Sequence, residues 1–407
     1  MRVLLVIGWL WAMALAPLHA ESIRADSDCS LASPVMVAAK AQARLQQVHA
    51  VDDMQETVAP EVRTDIHALK DALATVTDAR MACLHDDATA DAAAIQNELA
   101  GAMKANQPGG TVPSPDAPTY GGALTVGIQR TTTTPALLLV QWGFGIECGD
   151  DNLLLAYVFR DGAWRQAMRW QSGDYEQISG AFGNGFSYLA LPASVPQLVV
   201  FHGTPWCTSR WSGFGLDVLT PGKDAVAPRV LFHQDHGYVL GDFEPVMKTR
   251  PDGFELRVEV GMRDMDVMTR TGIFRYRVHG EQVSRVQPVA MNGRDFVDEW
   301  LQVGWPEASA WSDPPSLPAL EQVHGQLLSG LNAKDHPMTV SYGPVRSCSD
   351  DRNKYQVQLD LQPSGKQGGT VSHYFLIRSG ANSFTMLSAL SAPDAQCKGP
   401  DLMKKRS

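Results

Sequence analysis

Apolar residues at Val62, Ile66, Leu69, Leu73 and Val76 recur at spacings of four and three, which puts them on one face of an α-helix. The segment before it repeats the period less strictly through Val37, Ala41, Leu45, Val48 and Val51, and Pro60 stands where a first-turn proline is tolerated. A third helix is expected over residues 91–103, with Ile95, Leu99 and Ala102 on its inner side. Residues 106–119 hold four prolines and no apolar period, so they read as a linker.

From Tyr120 onward the pattern changes to short apolar runs broken by Gly, Asp and Pro, the mark of antiparallel strands joined by turns. Strands are predicted over 137–142, 153–160, 164–170, 186–191, 198–202, 213–219, 229–232, 254–260 and 273–278, with Asp161-Gly162 as a hairpin turn. Asn292 caps a helix over 294–303 whose apolar face is Phe296, Val297, Trp300 and Leu301. A helix over 320–331 then precedes strands at 338–342, 355–361, 371–378 and 384–390.

This order predicts a multi-domain α+β protein. Its parts are an N-terminal helical hairpin with a third helix (21–105), a linker (106–119), a central antiparallel β domain closed by a helix (120–304), a connector (305–318), a small α+β module (319–400) and a tail (401–407). The β domain is expected to be a sheet or sandwich. A partial β-propeller is the alternative, because strand groups start about sixty residues apart and the Val140 to Cys148 segment is echoed by Val340 to Cys348.

Residues 1–20, with Arg2 ahead of an apolar stretch and Ala20 at its end, read as a cleaved signal peptide. In an oxidising compartment the six cysteines are expected to pair as Cys29–Cys83, Cys148–Cys207 and Cys348–Cys397. No CxxC pair favours zinc instead. The net charge of −10 argues against a nucleic-acid binder, and no segment after the signal is apolar for long enough to stay in a membrane.

Candidate chemistry is sparse. Asp150, Asp151, Asp350 and Asp351 could offer hard oxygen ligands to a metal, although they lack calcium-loop spacing and fit ordinary turn chemistry better. His233, His236 and Asp242 form the densest group with acid–base potential. The tryptophans Trp142, Trp206 and Trp211 could present flat faces to a glycan or peptide, with core packing as the rival account of the aromatic cluster. No nucleophile or phosphate-loop motif is present, and no cofactor is expected.

The first expectation is therefore a non-enzymatic binding protein of a bacterial-type envelope, periplasmic or secreted, with a protein or glycan partner. The alternative is a periplasmic hydrolase with a His/Asp site near residues 233–244. The two differ in a structural consequence: a hydrolase gathers His233, His236 and Asp242 in one concave pocket, whereas a binder exposes a broad aromatic or polar surface.

Overall fold

The computed structural model describes residues 29–48, 58–106, 120–146, 149–173, 185–193, 195–204, 211–222, 227–240, 245–264, 267–333, 338–363 and 369–403. The expected signal peptide, most of the linker, Trp206, Asp242 and the Cys148–Cys207 pair lie outside them, as do the side chain of Trp211 and the last residues of the tail.

Three helices open the fold: α1 (Ala32–Leu45), α2 (Pro60–Ala82) and α3 (Ala92–Ala105). All five apolar positions of the clearest stripe are buried on α2, and Asp91 caps α3 by accepting from the Ala93 amide. On α1 the expected face holds at Ala41, Leu45 and the half-buried Val48, Val51 lies outside the described residues, and Val37 is corrected. Val37 is exposed, and the buried stripe is Val35, Ala38, Ala41, Gln42 and Leu45, because small alanines let α1 approach its neighbours closely.

Among the described residues, sixteen strands follow α1–α3 as four consecutive antiparallel meanders. The first is β1 (Thr125–Arg130), β2 (Leu137–Ile146), β3 (Gly149–Arg160) and β4 (Ala163–Gln171). The second is β5 (Phe186–Leu191), β6 (Gln197–Thr204), β7 (Trp211–Thr220) and β8 (Arg229–Leu240). The third is β9 (Val246–Arg250), β10 (Gly253–Gly261), β11 (Thr269–His279) and β12 (Gln282–Val286), joined to the second through Val260 and Val239. Helices α4 (Gly293–Gln302), α5 (Trp305–Ala310) and α6 (Leu317–Leu331) lead into the last meander, β13 (Met338–Ser347), β14 (Lys354–Pro363), β15 (Val371–Ser379) and β16 (Phe384–Leu390). Every predicted strand is present, and β1, β9 and β12 are additions. The Asp161-Gly162 turn has both residues at positive φ, 50° and 73°, which matches the right-handed twist of the strands it joins.

The layers stack on both faces of the first sheet. Leu138, Val140, Trp142, Phe144, Leu155 and Tyr157 face the helices, while Leu137, Leu139, Leu154, Ala156 and Trp170 face Leu198, Val200 and Leu219 of the second meander. This explains the unbroken apolar runs at 137–140 and 153–158. A sheet covered on both sides has no polar phase, and each fully buried Leu or Val stabilises the fold by roughly 1.5–3 kcal/mol. The second and third meanders pack face to face through Val199, Phe201, Phe214, Leu216, Phe254, Leu256 and Tyr276. α4 carries its apolar face, Phe296, Val297, Trp300 and Leu301, to the last sheet, against Val357, Leu359, Phe375 and Ile377.

Cys348 and Cys397 form a disulfide. The Cys29–Cys83 bridge is corrected: both are thiols. The α1–α2 hairpin nonetheless brings them into contact, and burial first, then the neighbouring Cys29, pushes the Cys83 thiol up to about 11. Among the described residues no helix is long and apolar enough to cross a membrane.

Candidate active site

The strand expected over 229–232 runs on to Leu240, so His233 and His236 sit on β8 and not in a loop. Because side chains alternate along a strand, the two rings go to different places. His233 pairs with Asp217 of the neighbouring β7: its Nδ1 lies 2.7 Å from Asp217 Oδ1, and its Nε2 lies 3.2 Å from Asp235 Oδ2. Asp217 also accepts from Trp170 Nε1 at 3.1 Å and lies 3.3 Å from His202 Nε2. The ring of His202 rests against Gly215, where an added Cβ would come within 2.2 Å of it. Burial opposes ionisation of Asp217, but His202, His233 and Trp170 together hold it below the usual carboxylate range.

His236 is directed elsewhere. Its ring stacks on Phe214 with centroids 4.7 Å apart and meets Phe274 edge-on at 4.5 Å. Burial, with the positive charge of Arg285 adding to it, pushes this imidazole down to about 4, so it is neutral at pH 7. His233, His236 and Asp242 are therefore not shown gathered in one pocket: His233 belongs to the Asp217 cluster, His236 to a cleft, and Asp242 lies outside the described residues.

That cleft has a volume of about 800 Å³. It lies between β8, the ends of β10 and β11, and helices α4 to α6, with Asp235, His236, Arg263, Arg270, Glu299 and Glu307 among its lining residues. An ionic chain runs along its wall. Arg270 donates to Asp298 at 2.7 Å and to Glu299. Arg285 donates to Glu299 at 2.6 Å and to Glu307 at 3.0 Å, beneath the rings of Phe274 and Trp311 at 4.5 and 5.4 Å. Tyr342 and the backbone amide of Arg263 each donate to Asp298 at 3.2 Å.

The two glutamates respond oppositely to this setting. Burial alone would raise Glu299, but Arg285 and Arg270 pull it down to about 2, so it is ionised. Glu307 has only Arg285 as partner, and burial holds its carboxyl above the ordinary 4.5. The cleft thus combines a carboxyl whose protonated form burial favours, an ionised carboxylate and a neutral imidazole. Arg270, Arg285, Glu299 and Glu307 belong to no motif along the chain and are not among the candidates the sequence offers. A signal was present: Arg270 shares the inward phase of β11 with Phe274 and Tyr276, and Arg285 pairs with Tyr276 across β12. An arginine in an apolar phase needs a buried acid, and Asp298-Glu299 sits beside Trp300 on α4.

The remaining candidates have structural partners. Asp151 is buried with Lys70 Nζ 3.2 Å away, while Asp150, the residue before it in β3, is exposed. Asp350 pairs with Lys354 at 3.0 Å, and Asp351 accepts from the Asn353 amide at 2.9 Å and from Arg378 at 3.3 Å. Among the described residues no group of three or more His, Cys, Asp or Glu is placed to hold a metal. Trp142, expected as a ligand-stacking candidate, is instead core: it is 1% exposed and donates to Thr77 Oγ1 at 2.9 Å. Trp164 and Trp170 are buried as well.

No family model matches the chain, nor does any curated protein. Among solved structures it is similar to the GH93 alpha-L-arabinofuranosidase of Fusarium graminearum in complex with arabinobiose, with 11% identity and a TM-score of 0.25, covering 64% of this chain and 65% of that one. It is also similar to the alpha-L-arabinanase of Penicillium chrysogenum complexed with arabinobiose, with 10% identity and a TM-score of 0.24, covering 64% and 66%. Scores this low fix neither the fold nor the activity of this chain. The expectation of a non-enzymatic binding protein is corrected on the structure itself: the aromatic cluster it leaned on is core at Trp142, Trp164 and Trp170, and the cleft lined by His236, Glu299 and Glu307 has the concave form expected of the hydrolase alternative.

Proposed function

We propose that the protein is a hydrolase acting on glycosidic bonds, exported from the cytoplasm, with its active site in the cleft between the third meander and α4–α5. The observation that carries this is the pair Glu299 and Glu307, two carboxyl groups bridged by Arg285 and driven apart in acidity by their surroundings. Paired carboxyls with separated acidities are the equipment of glycoside hydrolysis, one donating a proton to the leaving oxygen while another stays charged.

Glu307 is the proton donor in this reading, since it is the more exposed of the two and the one held protonated to higher pH. Glu299, locked between two guanidiniums, keeps Arg285 in place and supplies fixed negative charge near an oxocarbenium-like centre. Asp235, exposed on β8, is the base that takes a proton from the attacking water. The serial four-stranded meanders support a propeller-like arrangement, in which short loops and added helices shape such a cleft. The Cys348–Cys397 bridge supports an oxidising compartment.

The test is turnover of a panel of aryl glycosides and polysaccharides by the full chain and by Glu307→Gln. Hydrolysis reduced in the variant by roughly 10²–10⁴-fold, with the thermal midpoint kept, is the expected result. Absence of turnover on every glycan, or turnover indifferent to the substitution, overturns the reading.

A further inference from the structure

Among its buried groups the cleft has spare hydrogen-bond donors and no spare anions. Four of the twelve buried side-chain atoms without a hydrogen-bond partner among the described residues belong to its lining: His236 Nε2, Arg263 Nε, Arg270 Nη1 and Arg285 Nε. Arg270 is 1% exposed at its side chain and spends its other nitrogens on Asp298 and Glu299. Arg263 reaches Asn332 Oδ1 at 3.4 Å through Nη2 only. Arg285 Nε lies under the aromatic roof, so the donors left for a ligand are those of Arg263, Arg270 and, in one tautomer, His236.

The acids of the same network are already engaged. Asp298 and Glu299 are held by Arg270, and Glu299 and Glu307 by Arg285. A buried donor must find an acceptor, and a planar carboxylate is the acceptor that a guanidinium fork matches best. We infer that the substrate carries a carboxylate, as a uronic-acid sugar does, and that Arg263 and Arg270 receive it. This rests on the cleft being the active site and adds the class of sugar it takes.

The experiment is calorimetric titration of the full chain with trigalacturonate and with the same trimer fully methyl-esterified. The free acid is expected to bind about tenfold more tightly or better, as charge-assisted bonds to a buried guanidinium require, and Arg263→Gln is expected to erase that preference. The ester comparison uses unaltered protein, so it stands even if a variant folds poorly. Equal binding of acid and ester, no binding of either, or an acid preference that survives Arg263→Gln overturns the inference. If neutral glycans are cleaved with Glu307 required while acid and ester bind alike, only the carboxylate assignment falls. Selective binding of the acid with no hydrolysis of any glycan upholds the assignment and removes the hydrolase reading instead.

Discussion

Lys70 of α2 reaches Asp151 of β3 with its Nζ 3.2 Å from Oδ2, at side-chain exposures of 1% and 0%. The lysine also donates to the Ser172 carbonyl at 3.2 Å, so one cation ties a helix to two segments of the first sheet. Removing the cation leaves a carboxylate in a dry layer, which costs more than the pair itself contributes. Lys70→Met is expected to destabilise the protein by roughly 3–5 kcal/mol, and Lys70→Met with Asp151→Leu by distinctly less. Denaturant unfolding of both variants checks this. A double variant as unstable as the single one would show that the lost charge pairing is not the cause.

The depressed acidity of His236 makes folding stability depend on pH. Its folded value is about 4 against an ordinary 6.5, so between these values the unfolded chain takes up the proton and the folded chain does not. Stability from this residue is intact above pH 6.5 and falls as the pH drops towards 4, by about 2 kcal/mol at pH 5. His233 works in the opposite direction: the Asp217 carboxylate raises it, so its contribution is present below pH 6.5 and fades as the pH rises through the raised value. Thermal midpoints at pH 7 and pH 5 are expected to drop less in His236→Phe than in the unaltered protein, and equal drops would remove His236 from the account.

The thiols of Cys29 and Cys83 are adjacent at the open end of the α1–α2 hairpin. Exposed Cys29 is the group that attacks an oxidised glutathione, and Cys83 then resolves the mixed disulfide, releasing two equivalents of reduced glutathione. Peptide mapping without reductant is expected to find Cys29 joined to Cys83, together with a stability gain of roughly 2–4 kcal/mol from restricting the unfolded chain. Recovery of both as thiols after such treatment would count against the bridge.

Much of the fold was legible because it depends on local pattern. The 3.6-residue period of α2, the Asp161-Gly162 turn and the Asn292 cap, whose side chain accepts from the Asp295 amide, each act within a few residues. On α1 only Val37 departs from the pattern: it outweighs alanine in apolarity, yet close helix packing selects Ala38 and Ala41 beside Leu45. The reach of β8 was underestimated because His233, Asp235 and His236 look like a loop. In the sheet, their polarity is met by Asp217 of β7 on one side and by the cleft on the other.

The sequence by itself determined most of the elements and their order, though not β1, β9, β12 or α5, and the contact of Cys29 with Cys83 in the helical hairpin, since these follow from side-chain period, turn chemistry and chain length. The tertiary structure alone decided the site. Arg270, Arg285, Glu299 and Glu307 come from two strands and two helices. Their acidities depend on burial and on charges a few ångströms away in space, neither of which is written in the spacing of residues along the chain.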